Sequence, residues 1–182
     1  MMPLPEVVES LAGLLDYPQP GLEERVNACI ARLDAVDPEA AEHVRQFGGR
    51  IAGSTLAELE ELYIKTFDLN PLCTLDLGWQ LFGEDYNRGL FLVKIRQEMK
   101  RLGVAETAEL PDHLTLVLKL LGRMEPDKAE DFATACVLPA VRKIRDGIVK
   151  DANYRPLIEA VVRVLAHQYE RTSEEINDGV LV

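Results

Sequence analysis

The chain has 182 residues, a net charge of −11 and 47% apolar residues. That length supports one domain with a substantial core, and that apolar fraction excludes a wholly disordered chain. The acidic balance argues against nucleic acid, which requires concentrated Lys and Arg; it suits a basic peptide or protein, or plain solubility.

Residues 4–16 are predicted to form a short amphipathic helix, stopped by Tyr17-Pro18-Gln19-Pro20-Gly21. Residues 22–35 follow, with Leu22, Val26, Cys29, Ile30 and Leu33 at helical spacing. Pro38 opens a third helix through Val44, Phe47 and Ile51, its end weakened by Gly48, Gly49 and Gly53. Thr55 and Glu58 make a capping box for a fourth helix that reaches Phe67. Residues 86–102 form the next helix, with Leu90, Phe91, Ile95, Met99 and Leu102, closed by Gly103. Residues 112–124 are apolar on most sides, which predicts a central helix. Residues 127–150 are helical with a break before Pro139, and 154–169 form the last helix.

No segment alternates at period two, and no internal repeat or linker occurs. The expected fold is all-α: a single-domain bundle of roughly seven to ten helices with one long apolar connection. Residues 1–170 form the domain, and 171–182 are expected to be a flexible tail. That connection, residues 68–85, contains Leu69, Leu72, Leu75, Leu77, Trp79, Leu81 and Phe82, whereas connections are ordinarily polar. The N-terminus lacks a basic segment and no apolar run nears the about 20 residues a bilayer requires. A chain that is not membrane-embedded, in a reducing cytoplasm, is the expectation.

The sequence offers little for catalysis. It has no phosphate-cradling glycine motif, and Cys29, Cys73 and Cys136 form no CxxC pair. His43, His113 and His167 lie far apart, so neither metal nor cofactor is expected. Asp112 can cap the helix that begins there, placing His113 near its N-terminus. This pair is either a polar contact for a partner or ligand, with proton transfer open to it, or simply a helix start. Six of the eleven aromatic residues fall between Tyr63 and Phe91, among Glu60, Glu61, Asp68, Asp76, Glu84 and Asp85. They are either core with a solvated edge or an acid-rimmed groove for a basic, apolar peptide.

The run FDLNPLCTLDLGWQLFGEDYNRGLFLVKIRQEMKRLGV, followed by ELPDHLTLVLKLL, resembles the nitrate reductase molybdenum cofactor assembly chaperones, the delta-subunit or NarJ type. LAGLLDYPQPGLEERV resembles the N-terminal region of that family, so the likeness spans roughly residues 8–170. The matching positions are Asn70, Pro71, Cys73, Thr74, Leu81, Phe82, Gly83, Glu84, Tyr86, Arg88, Gly89, Pro111, Asp112, His113 and Leu114. Leu72 and Trp79 depart from the family, where tyrosine is common, and Leu114-Thr115 stands where Leu-Pro is commoner.

The resemblance implies an all-helical, non-enzymatic cytoplasmic chaperone. It implies binding of the apo catalytic (alpha) subunit of a respiratory nitrate reductase, including its N-terminal peptide, and assistance with molybdenum cofactor insertion before complex assembly. It leaves room for contact with molybdenum cofactor delivery proteins and for a part in iron–sulfur cluster loading. The residues expected to meet the client are Leu69, Leu77, Trp79, Phe82, Glu84, Asp85, Tyr86, Arg88, Asp112 and His113. The alternative is a small-ligand protein or enzyme using Asp112 and His113 as an acid–base pair.

Overall fold

The computed structural model describes residues 4–170; the predicted tail, 171–182, lies outside them. The described residues are all-α. Helices α1 (Leu4–Leu15), α2 (Leu22–Asp34) and α3 (Pro38–Ile51) come first. They are followed by α4 (Leu56–Tyr63), α5 (Leu77–Phe82) and α6 (Tyr86–Leu102). Helices α7 (Leu114–Leu121), α8 (Pro126–Phe132), α9 (Leu138–Gly147) and α10 (Arg155–Tyr169) complete the domain. Among the described residues no helix is long and apolar enough to cross a membrane.

The core forms where the apolar stripes meet. Helix α10 packs along α3, α2 lies against α1 and α3, and α1 lies against α7. Helix α7 is buried on nearly all sides through Leu114, Leu116, Val117, Leu118, Leu120 and Leu121, as expected for a central helix. Gly48 does more than weaken α3: a Cβ there would lie 2.9 Å from Val26 Cγ1, so the glycine lets α2 and α3 approach closely. Tyr154 sits between Phe47 and Phe67, with ring centroids 5.1 and 4.9 Å away. Tyr63 joins them and donates its O–H to the Leu15 carbonyl at 3.0 Å.

Local signals at the helix ends hold. Glu58 N–H donates to Thr55 Oγ1 at 3.2 Å and Thr55 N–H to Glu58 Oε2 at 2.7 Å, completing the capping box. Gly103 closes α6 at φ 68°.

Three expectations are corrected. The helix containing Pro139 does not break: α8 runs into α9 through a wide π-helical turn, Ala133–Val137. A similar turn, Ile64–Asp68, extends α4. In each turn a threonine hydroxyl donates to the carbonyl four residues back: Thr66 to Leu62 at 2.7 Å and Thr134 to Glu130 at 2.8 Å. Such bonds compete with the helical ladder and bend it. Secondly, the long connection contains a helix, α5. Thirdly, α7 starts at Leu114, and His113 rather than Asp112 occupies its N-cap position.

Candidate functional site

The segment 68–85 is built around α5. Asn70 starts a tight turn: its Oδ1 accepts Leu72 N–H at 3.1 Å, and its Nδ2 lies 3.2 Å from the buried Cys73 Sγ. The carbonyls of this turn are satisfied from α5. Trp79 Nε1–H donates to Pro71 O at 3.1 Å, and Gln80 Nε2–H reaches Thr74 O at 3.0 Å and Leu72 O at 3.3 Å. The only Trp therefore holds the connection with its polar edge, and its ring lies under the Arg88 guanidinium at 5.9 Å. Leu75 and Leu77 point into the core.

A second stretch of chain locks α5 from outside. Asp76 and His113 form an isolated antiparallel β-bridge. Leu77 N–H donates to Asp112 O at 3.0 Å, and Leu114 N–H to Leu75 O at 2.8 Å. The Asp112 side chain does not cap α7. Its Oδ2 accepts the N–H of Gly78, in the first turn of α5, at 2.7 Å. Arg88 Nη2 stands 3.8 Å from that oxygen and 3.7 Å from Asp76 Oδ2. Asp112 has no exposed surface, and its Oδ1 has no hydrogen-bond partner among the described residues. Burial, and then the Asp76 charge, push its carboxyl above the usual range against the opposing pull of Gly78 N–H and Arg88.

His113 is also buried, its Nδ1 2.8 Å from Thr115 Oγ1 and its Nε2 3.9 Å from Glu109 Oε2. Asp112 and His113 thus face different partners rather than each other. Nearby, burial and Asp76 raise the Asp68 carboxyl, while His113 opposes the rise. Burial pushes the Cys29 thiol up to about 12, which disfavours the thiolate.

The predicted contact residues divide by accessibility. Tyr86 is 80% exposed and Leu69 72% exposed. Glu84 and Asp85 are exposed beside Tyr86, and Asp85 also caps α6 by accepting Asn87 N–H at 2.8 Å. Trp79 and Arg88 are half-buried, as is Phe82, whose ring packs edge-on against Phe91 at 5.5 Å. Leu77 and Asp112 lie inside and offer no surface, and His113 is only 6% exposed. Leu72, Leu90 and Val93, which are not among the expected client contacts, are all exposed. Helix α6 is apolar on two faces. Phe91, Ile95 and Met99 pack inward, while Tyr86, Leu90 and Val93, at steps of four and three, face out. That second stripe was readable in the sequence.

The fold and this segment define a single-domain, all-helical protein with an exposed apolar stripe beside a partly buried ionic node. The chain belongs to the nitrate reductase delta subunit family, whose model matches residues 33–147. The match runs from the end of α2 through α9 and takes in the whole of segment 68–85, α6 and Asp112-His113. Membership ties the chain to nitrate reductase as an assembly protein. No curated protein matches the chain.

Proposed function

We propose that this protein is a chaperone for the apo catalytic subunit of a respiratory nitrate reductase. It binds that subunit, including its N-terminal segment, and holds it open to molybdenum cofactor insertion before the complex assembles. The observation that carries this reading is the family match across residues 33–147. The exposed stripe gives it a physical basis. Tyr86, Leu90 and Val93 are large groups exposed along one face of α6, and Leu69 and Leu72 are exposed in the turn before α5; exposed apolar surface of this kind marks interaction sites.

The mechanism is binding without chemistry. The client peptide forms an amphipathic helix and lays its apolar face on α5 and α6, against Phe82, Tyr86 and Leu90. Glu84 and Asp85 steer its basic residues. Arg88 and Trp79 support the surface from below. The chaperone works in the cytoplasm and leaves when the cofactor is in place.

Calorimetric titration with the N-terminal peptide of a cognate catalytic subunit tests the proposal. Saturable heat with a change in Trp79 emission is the expected result. No heat and unchanged emission, at both low and moderate salt, would reject it.

A further inference from the structure

The resemblance puts Asp112 among the residues that meet the client, yet the carboxylate is fully buried and its Oδ2 is taken by Gly78 N–H. We infer that Asp112 is a positioning residue: with Arg88 it tethers α5, and so sets the placement of Trp79 and Phe82, without touching the client. The inference rests on the client-binding reading for its functional consequence.

Five contacts carry it. The Asp112 backbone and side chain both take N–H groups from the first turn of α5, from Leu77 and Gly78. Helix α5 has six residues, too few to be stable alone, so its geometry depends on such external ties. Its own N-cap residue, Asp76, makes no side-chain cap bond, so Asp112, 34 positions from Gly78, supplies the missing acceptor. Arg88 reaches from α6 toward both carboxylates and covers the Trp79 ring, linking the node to the aromatic surface. The space is closed around Gly78. A Cβ there would lie 2.6 Å from Asp112 Oδ2, 3.1 Å from Arg88 Cγ and 3.2 Å from Phe91 Cδ1.

The node can therefore be disturbed from either side. Asp112→Ala removes the acceptor; Gly78→Ala leaves Asp112 in the chain but drives its carboxylate away. Both are expected to red-shift Trp79 emission, to accelerate hydrogen exchange at the amide of position 78, and to weaken peptide binding roughly tenfold. Asp112→Asn retains an oxygen for Gly78 N–H and is expected to restore most of the emission and exchange behaviour. This rescue keeps the test decisive should Asp112→Ala fail to fold. A tenfold weaker Asp112→Ala with wild-type emission and exchange would overturn the inference, because that pattern marks a direct client contact. Wild-type emission and exchange in Gly78→Ala would overturn it as well. If the unaltered protein does not bind the peptide, the client-binding reading fails, while emission and exchange still decide whether the tether exists.

Discussion

Asp37 and Arg163, 126 positions apart, meet so that Arg163 Nε lies 3.1 Å from each carboxylate oxygen. Asp37 also accepts Ala40 N–H at 3.1 Å as the N-cap of α3, and His167 Nδ1 lies 3.1 Å from its Oδ2. One buried carboxylate thereby joins the start of α3 to the far end of α10, along the interface where those helices pack. Burial alone would raise its carboxyl. The Ala40 amide, His167 and Arg163 outweigh burial and hold it below the usual range.

Asp37→Ala is expected to cost about 2 kcal/mol. About 1 kcal/mol comes from the cap, and up to about 1 kcal/mol from partners that are partly exposed. The sign of the pH dependence follows from the lowered carboxyl. Its contribution is complete above the unfolded value of about 3.9 and fades as pH falls through the folded value. Urea unfolding should show the gap between wild type and Asp37→Ala at pH 7, narrowing toward pH 3. A gap that widens in acid would contradict the assignment.

Two glycines are expected to respond oppositely to alanine. At Gly147 an added Cβ would lie 2.7 Å from the Leu72 carbonyl oxygen, a backbone atom that cannot swing aside. Gly147→Ala should destabilise by about 1–3 kcal/mol through overpacking and should loosen the turn at Asn70. At Gly89, inside α6, nothing among the described residues lies within 4 Å of the new Cβ. Gly89→Ala should stabilise by up to about 1 kcal/mol, the helix-propensity gain. Thermal unfolding of the two single variants checks both signs.

Most of the fold was legible because its helices follow ordinary rules. Periodicity located α1, α2, α3, α6 and α10, and Thr55 with Glu58 announced the start of α4. What escaped depended on distant partners. Helix α5 is short, and its first turn is held by Asp112, so no local pattern could reveal it. The continuity through Pro139 relies on a π-helical turn rather than the expected break. Among the site residues, composition could not separate Leu77, which is buried, from Leu69 and Leu72, which are exposed. The family likeness pointed to segment 68–85 and Asp112-His113. It did not show that the carboxylate faces α5.

Substitutions inside and outside the surface should separate stability from binding. Leu77→Ala removes a fully buried side chain and should cost about 2–5 kcal/mol. Leu90→Ser and Val93→Thr alter exposed positions on α6 and should change stability by no more than about 0.5 kcal/mol. On the proposed function, the same surface pair should weaken peptide binding about tenfold when combined. Urea midpoints and calorimetric Kd values, measured on the same preparations, test this. A surface pair that binds normally would remove α6 from the client surface.

Salt should act on association more than on the final complex. The chain carries a net charge of −11, and Glu84 and Asp85 stand exposed beside Tyr86. A basic peptide is attracted over roughly one Debye length, about 10 Å at 0.1 M salt and about 3 Å at 1 M. Its association rate should fall about tenfold between dilute buffer and 0.5 M salt, with little change in dissociation. The double variant Glu84→Gln, Asp85→Asn removes two charges, while the amide introduced by the second change retains an oxygen to cap α6. It should associate a few-fold more slowly in dilute buffer and depend less steeply on salt. Stopped-flow Trp79 fluorescence resolves the two rates. A salt effect confined to dissociation would place the charges within the formed contact rather than along the approach to it.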